Sequence, residues 1–405
     1  MQNTQSFGDF VVTAMDAVEA AHQAGILLYM HEYVARNPNL SSRQQQGLIT
    51  GCTSHVALFE QYKAQAGYPI MKFRLKEGVS ASTALLKLLS EGQSVIDCMT
   101  AISVAYNYAV FLGFQASYGD AVARQRFDAL FGSETQAIPK ARRLFFGNNM
   151  YVAWHLWDAT GHLIPLTALS ILFEVSDFNK LAWKYHKEGR IIIPVLKDGI
   201  FKKLPKGSMI AFAGCPEYTN KHPQGSDGNY NGIVQGHTIE GKPLLKVFGC
   251  GDRPFIEQQL SEKHIEAYNS PCTPDDRSVQ QAIRKSGKNC SYPETITQAD
   301  VPGLSLKSHY VVNEEKWKTL LTSTQEEAIV SLTHFLNSVI EARLGSPALA
   351  DKSKMRDEDL ALLPIASHQP ADTSRIPLKF STTMPATPVP PAVSRTTPMN
   401  PKKKK

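Results

Sequence analysis

The segment that decides the fold is residues 94–114, SVIDCMTAISVAYNYAVFLGF, in which an acidic residue and a cysteine precede a nearly unbroken apolar run. A run of this length and polarity predicts a buried helix that begins at Asp97 and Cys98 and extends to Phe114. The longest apolar runs, Ala101–Phe114 and Leu163–Val175, are too short to span a bilayer, and the first contains Asn107, so no transmembrane segment is expected. The sequence therefore predicts a soluble protein with a thiol at the start of its central helix.

A cysteine at a helix start is a candidate nucleophile. The thiolate is the reactive species, and a helix N-terminus stabilises it through its partial positive charge and free N–H groups. Apolar helices also bury cysteines that only fill a core, so a purely structural Cys98 is the alternative. Catalysis further requires a base within hydrogen-bond reach, which has to come from another part of the chain.

The segments on either side of this helix divide into a helical half and a strand-rich half. Apolar residues at helical spacing predict helices over residues 9–66, with a break at Asn37–Pro38, and over Ser82–Ser90, Asp120–Phe131, Ala168–Lys187 and Trp317–Leu344. Alternating or β-branched segments bounded by Gly, Pro or Asn predict strands at Lys72–Leu75, Arg190–Leu196, Met209–Ala213, Asn231–Ile239 and Leu244–Phe248. A helical half followed by an antiparallel half, with a cysteine at the start of the buried helix, is the layout of papain-like enzymes.

The candidate base is His237, which lies in the first of two strands joined by a tight connection. Asp252 follows the second strand and would orient the imidazole and fix its tautomer. The amides of Asn229, Asn231 and Gln235 are alternatives for that role or for binding an oxyanion. A single histidine on a strand is often structural, and that alternative also applies to His237.

Other polar clusters give weaker indications. Trp154–His155, Asp158 and His162 lie close together, but their spacing matches no usual metal site, so no metal and no cofactor is predicted. His155 is a reserve base for Cys98. The six cysteines are far apart and form no CxxC pair, which favours a reduced compartment over a disulfide framework.

Residues 94–106 resemble the nucleophile helix of the bacterial spore-coat type of transglutaminase, which has an acidic residue directly before its cysteine. Asp97–Cys98 has this pairing. Further similarities follow in the same order within residues 72–250, at Arg126–Phe131, Trp154–His155, Leu204–Phe212, Pro216–Tyr218 and Asn231–Val234. The resemblance implies a papain-like core, related to that of NlpC-type peptidases, and acyl transfer on glutamine side chains.

The chain departs from that family at the catalytic partner. The transglutaminase pairs its cysteine with a glutamate at the start of a later strand, just before an Asn, and here Tyr230 or Asn231 occupies that place. Neither side chain can act as a base. In papain-like glutamine deamidase effectors a histidine is followed by an aspartate at about the spacing of His237 and Asp252. The resemblance thus implies that Cys98, His237 and Asp252 are catalytic. Asp97, Gln235 and Asn231 are the candidates for binding the substrate or an oxyanion.

The basic character of the chain is concentrated at its end. The net charge is +6, and the four lysines of Lys402–Lys405 leave about +2 for the rest, which argues against a nucleic-acid binder. Beyond Gly345 the chain holds ten of its 24 prolines, which predicts a disordered tail. The terminal lysines are predicted to be either a solvated end or a contact for acidic surfaces.

Together these patterns predict an α+β fold with a papain-like cysteine-enzyme core, in which the nucleophile helix packs on a small antiparallel sheet. The expected divisions are a helical region at 1–68, the catalytic core at 69–270, a helical region at 271–345 and the tail at 346–405. The expected activity is transfer of a protein glutamine's acyl group to an amine or to water. The resemblance implies a bacterial effector that acts on a host protein. No classical signal peptide is visible, so the expected location is host cytosol, reached by a route without a cleaved signal peptide, or otherwise the cytoplasm. A cysteine peptidase and a non-catalytic scaffold with a proline-rich tail are the alternatives.

Overall fold

The computed structural model describes residues 5–29, 52–63, 71–76, 78–96, 98–131, 145–147, 173–175, 204–213, 217–223, 229–248, 254–287, 289–300, 305–324 and 326–328. All of these residues belong to one compact unit within Met1–His368. The predicted tail and the terminal lysines lie outside the described residues, as does the strand predicted at Arg190–Leu196.

The described helices are α1 (Phe7–Gln23), α2 (Ala81–Ser90), α3 (Cys98–Tyr118), α4 (Asp120–Phe131), α5 (Tyr218–Lys221), α6 (Glu257–Asn269), α7 (Pro274–Lys285) and α8 (Glu314–Thr322). Two sets of hydrogen bonds stabilise the start of α1. Ser6 and Asp9 form a capping box, and the Glu314 carboxylate accepts hydrogen bonds from the backbone N–H groups of Phe7 (2.8 Å) and Gly8 (3.2 Å). The first helix is thereby attached to the segment that begins α8.

The described strands are β1 (Leu27–Tyr29), β2 (Cys52–Thr53), β3 (Phe59–Lys63), β4 (Met71–Leu75), β5 (Ser94–Ile96), β6 (Phe145–Gly147), β7 (Phe173–Val175), β8 (Met209–Ala213), β9 (Asn229–His237), β10 (Pro243–Val247) and β11 (Ser305–Val312). They form three sheets. The largest is antiparallel, with the strand order β10-β9-β8-β11-β7, and the two smaller ones have the orders β1-β5-β2 and β3-β4-β6.

The five-stranded sheet has helices on both of its faces. On one face a core cluster joins Tyr230 and Val234 of β9 and Leu245 of β10 to Leu260 of α6. On the other face the sheet contacts α3, where the buried Tyr106 hydroxyl donates a hydrogen bond to the carbonyl of Gly207. Helix α3 is therefore held between this sheet and α1, which also packs along it.

Aromatic side chains join α1, α3 and α8. The indole of Trp317 in α8 is almost fully buried, with its ring centroid 4.8 Å from that of Phe7 and 6.0 Å from that of Phe114. Gly113 faces the same indole, and no side chain larger than hydrogen fits there. These contacts fix the far end of α3 and hence the direction in which its first residue points.

The predicted α+β class is confirmed, because helices and small sheets are mixed along the chain. The helices predicted at Ser82–Ser90 and Asp120–Phe131 and the apolar helix from Cys98 are present, the last of them ending at Tyr118. The strands predicted around Lys72, Met209, Asn231 and Leu244 are also present, with ends that differ by up to two residues.

Three predicted helices are wrong in part. Helix α1 ends at Gln23 because Gly25 adopts a φ of 73°, after which Leu27–Tyr29 form a strand beside β5. Residues 52–53 and 59–63 are strands, and the latter pair with β4. Residues 173–175 are a strand paired with β11, a strand that sequence periodicity did not indicate. Such pairing between distant segments cannot be read from local spacing.

The last predicted helix begins earlier and stops sooner than expected. Asn313 caps α8, whose first residue is Glu314, and the helix ends at Thr322 before Ser323. Residues beyond 328 lie outside the described part of the chain. Within the described residues, no helix combines the length and the apolarity that crossing a membrane requires.

Candidate active site at the start of helix α3

Cys98 is the first residue of α3 and follows the short strand β5 after one intervening residue. Strand β5 is the middle strand of its sheet, between β1 and β2, and its first side chain is fixed by a 2.8 Å hydrogen bond between the hydroxyls of Ser94 and Thr53. Cys98 is a partly exposed free thiol. The fold thus presents this sulfur at a helix N-terminus, where the helix dipole and free N–H groups favour a thiolate.

Asn231 lies next to this sulfur. Its amide nitrogen Nδ2 donates a hydrogen bond to Cys98 Sγ at 3.3 Å, and the residue is only 2% exposed. Strand β9 directs Asn231 towards α3, while the neighbouring Tyr230 lies in the core cluster on the opposite face. An N–H group that donates to sulfur stabilises the anionic form of the thiol, but an amide cannot accept its proton.

His237, the predicted base, occupies the other end of the same strand. It is six residues beyond Asn231, which corresponds to about 20 Å at the usual rise of a strand. Its Nε2 makes a 3.0 Å hydrogen bond with the carbonyl of Leu204, and the residue is exposed. In this geometry His237 does not lie within hydrogen-bond reach of Cys98.

A β-bulge explains the orientation of His237. Leu244 pairs with Gly236 and Leu245 pairs with Val234, so Gln235 is the extra, unpaired residue of β9. The bulge reverses the alternation of side chains between the two faces of the sheet. His237, which pairs with Pro243, therefore lies on the same face as Leu245, the face covered by α6. Asn231 keeps the face towards α3. Sequence alternation gave no sign of this reversal, which separates two side chains that an unbroken strand would direct to one face.

Of the remaining predicted site residues, Gln235 lies in the described part of the chain. Gln235 lies at the bulge, and its buried Oε1 accepts no hydrogen bond from described residues. Asp97, Asp252 and His155 lie outside the described residues, so their proposed roles stay predictions. Among the described side chains, no group of three or more His, Cys, Asp and Glu could hold a metal ion.

Two buried aromatic residues near the site keep their neutral forms. Burial raises the pKa of Tyr106 in α3 well above its ordinary value, so its hydroxyl remains a donor to Gly207. On the opposite face of β9, burial lowers the pKa of His264 to about 4, and its imidazole stacks on the ring of Tyr230 with centroids 4.3 Å apart. Neither group supplies a charge at neutral pH.

Comparison with known proteins gives no match: no protein-family model matches this chain, and no curated protein does. The assignment of a function therefore depends on the geometry around Cys98. That geometry combines a partly exposed thiol, a helix N-terminus and an amide donor from the central sheet, which together can hold a thiolate and a developing oxyanion. The sequence signal for the amide was the departure from the resembling family, in which Tyr230 or Asn231 stands at the place of the catalytic partner.

Proposed function

We propose that this chain is a cysteine-dependent acyltransferase that acts on glutamine side chains of proteins, as a transglutaminase or a glutamine deamidase. The single observation that carries the proposal is the 3.3 Å hydrogen bond from Asn231 Nδ2 to Cys98 Sγ at the start of α3. It is in keeping with the resemblance on residues 94–106, because Tyr230 or Asn231 stands at the place of the family's catalytic partner.

The reaction uses the thiolate of Cys98 as nucleophile. The sulfur attacks the carboxamide carbon of a glutamine, and the tetrahedral intermediate collapses with cleavage of the C–N bond. The –NH2 group of the intermediate takes up a proton and leaves as ammonia, and a thioester remains on Cys98. Attack by a primary amine then gives an isopeptide crosslink and regenerates the thiol, whereas attack by water gives glutamate.

Asn231 is assigned to charge stabilisation and not to proton transfer. Its N–H group stabilises the thiolate before attack and remains close to the carbonyl oxygen of the bound glutamine, where negative charge develops. The proton that ammonia requires has to come from another group, because an amide does not titrate in this range. His155 is retained as the candidate base, and His237 requires a rearrangement of β9 to take that role.

The proposed partners are a glutamine-bearing protein and an acceptor amine or water. We place the activity in a bacterial effector that modifies a host protein, the setting implied by the resemblance to deamidase effectors. A papain-like arrangement of α3 on the five-stranded sheet belongs to the same proposal. It is supported by the packing of a cysteine-headed helix against antiparallel strands.

A non-catalytic binding protein is the second candidate, and it is favoured by one observation. Tyr230 or Asn231 occupies the place where the resembling family has a glutamate, and a site without its base can keep its shape and lose its chemistry. Thiol reactivity separates the two. A catalytic Cys98 is alkylated rapidly at pH values below the ordinary pKa of a thiol, whereas a core cysteine is not.

The proposed activity is tested by intact mass spectrometry of candidate glutamine-bearing proteins incubated with the chain and a labelled primary amine. Incorporation of the amine with loss of ammonia indicates transamidation, and ammonia release without incorporation indicates deamidation. A new N-terminus without ammonia would instead indicate a peptidase. The matched control is Cys272→Ala, because Cys272 is a second partly exposed thiol that lies away from α3. Equal activity of Cys98→Ala and the wild type would overturn the proposal.

A further inference from the structure

Three ionisable side chains form a cluster, here called the Glu19 cluster, between α1 and the edge strand β10. The ammonium of Lys246 lies 2.9 Å from one carboxylate oxygen of Glu19, and Nδ1 of His22 lies 3.5 Å from the other. The side chains of Lys246 and Glu19 are only 5% and 14% exposed. The ring of His22 contacts that of Tyr29 in β1, with centroids 4.4 Å apart.

Strand registers place this cluster beside the candidate nucleophile from two sides. Lys246 pairs with Ile233, two residues from Asn231, whose amide bonds to the Cys98 sulfur. Lys246 faces α1, and it therefore shares the helix-covered face of the sheet with Asn231. Strand spacings put the α-carbon of Lys246 within about 12 Å of that of Asn231.

The second side is the small parallel pair of strands. Tyr29 pairs with Ile96, two residues before Cys98, and its ring contacts His22 of the cluster. The same spacings put the α-carbon of Tyr29 within about 12 Å of that of Cys98. Among the described residues, the charged and titratable groups that these contacts place in this region are Glu19 and His22 from α1, Tyr29 from β1 and Lys246 from β10.

Charges at such distances act on a thiol. The strand spacing and the Asn231–Cys98 hydrogen bond together put Lys246 roughly 15 Å from the sulfur, and at an effective dielectric constant of about 20 one unit charge at about 15 Å changes the ionisation midpoint of a thiol by about 0.8 pH unit. Glu19 and Lys246 carry opposite charges and nearly cancel each other. A change in either one alters the net charge beside Cys98 by one unit.

We propose that the Glu19 cluster is the electrostatic part of the Cys98 site, and that its net charge sets how readily the Cys98 thiol ionises. In this role Glu19 and Lys246 are positioning residues that act through the sulfur and do not touch the substrate. A buried lysine on a strand is costly and requires a partner, which Glu19 supplies here. The inference deepens the proposed function and rests on it for the catalytic role of the thiol.

The test measures the pH dependence of Cys98 alkylation by iodoacetamide, read on the peptide that contains Cys98 by mass spectrometry. Glu19→Gln removes one negative charge from the cluster, so the midpoint is expected to fall by about 0.8 pH unit. Lys246→Met leaves Glu19 uncompensated, so the midpoint is expected to rise by a similar amount. The double variant restores a neutral pair and is expected to return the midpoint to the wild-type value, and Lys246→Arg keeps the charge and the midpoint.

Opposite shifts distinguish charge from loosened packing, because a looser structure changes both single variants in the same direction. Unchanged midpoints, or shifts of one sign, overturn the inference. Folding of each variant is checked by circular dichroism. If Lys246→Met fails to fold, the direction of the midpoint shift is taken from Glu19→Gln. This variant is expected to fold because the glutamine amide oxygen still accepts a hydrogen bond from Lys246.

The alkylation experiment needs no glutamine substrate, so its outcome is separate from that of the acyl-transfer assay. Opposite shifts without any acyl transfer support the cluster and reject the proposed function. Acyl transfer that depends on Cys98, combined with unchanged midpoints, supports the proposed function and rejects the cluster.

Discussion

The amide nitrogen of Asn231 lies 3.3 Å from the sulfur of Cys98, across 133 residues of sequence. This contact joins the start of α3 to strand β9 of the five-stranded sheet. It places a neutral hydrogen-bond donor beside the sulfur. The charge of the thiolate is therefore stabilised locally, while its proton has to be accepted elsewhere.

Replacement of the nucleophile is the first prediction. Cys98→Ala is expected to abolish acyl transfer, because the thioester cannot form, and to change the free energy of unfolding by no more than about 1–2 kcal/mol, since a single small side chain is removed. Activity is measured by amine incorporation and stability by urea unfolding. Cys272→Ala, which removes a thiol that donates a hydrogen bond to the Lys221 carbonyl, should retain activity. Retained activity in Cys98→Ala contradicts the nucleophile assignment.

Removal of the amide donor is the second prediction. Asn231→Ala is expected to lower the rate of acyl transfer by about a hundredfold, the usual effect of removing one preorganised donor to a developing negative charge. Alkylation of Cys98 at neutral pH should slow as well, because the thiolate loses a hydrogen bond. Gln235→Ala on the same strand is the control, since Gln235 lies at the bulge and is expected to leave both rates near the wild-type values. Equal effects of the two variants would show that Asn231 acts only through the stability of β9.

The role of His237 gives the third prediction. Because the bulge turns His237 towards the Leu204 carbonyl, His237→Gln should keep the acyl-transfer rate within about a factor of three of the wild type, whereas loss of a general base costs about 10²–10⁴-fold. The lost hydrogen bond should lower the free energy of unfolding by about 1 kcal/mol. A loss of activity in the larger range at unchanged stability would mean that β9 rearranges to bring His237 to Cys98.

The buried His264 gives a prediction about pH. Burial lowers its pKa from 6.5 to about 4, so the unfolded chain binds a proton there at higher pH than the folded protein does. Its contribution to stability is therefore complete above about pH 6.5 and is lost as the pH falls towards 4. The total loss is about 3 kcal/mol.

His264→Phe removes this titration and retains a ring that can stack on Tyr230. The free energy of unfolding, measured by urea at a series of pH values, should fall less steeply between pH 7 and pH 4 in the variant than in the wild type. His237→Gln serves as the control, because His237 is exposed and its replacement should leave the wild-type slope. Parallel slopes for His264→Phe and the wild type would contradict the assignment.

The packing of α8 against α3 gives the fifth prediction. A methyl group at position 113 would overlap the buried indole of Trp317, which Phe7 and Phe114 confine. Gly113→Ala is expected to lower the free energy of unfolding by about 1–3 kcal/mol, although alanine normally stabilises a helix interior. The double variant with Trp317→Leu should show a strongly non-additive cost, because the smaller side chain gives the methyl group room. Additive costs would show that the two side chains do not meet.

Local patterns in the sequence were sufficient for the elements that carry their own signal. The apolar run from Cys98 has the length and polarity of a buried helix, and Asp120–Phe131 has the spacing of a second one. The strands near Met209, Asn231 and Leu244 followed from β-branched residues between turn residues. Each of these elements forms because apolar side chains recur at a fixed period, and that period is visible in neighbouring residues of the sequence.

The tertiary structure decided which residues meet. The strand at Ser305–Val312 takes its place between β8 and β7 by pairing with segments far away in sequence, and residues 173–175 are a strand only because of that pairing. Local spacing contains no record of such partners.

The candidate site divides in the same way. The sequence alone identified Cys98 at a helix start and named Asn231 among the polar residues near it. Only the fold could select Asn231 over His237, because one unpaired residue in β9 reverses the side-chain alternation between them. The Glu19 cluster also depends on the fold, since its members lie on a helix and a distant edge strand. The sequence determines which side chains are available, and the strand register determines which of them share a face, because a shift of one residue transfers every later side chain to the opposite side of the sheet.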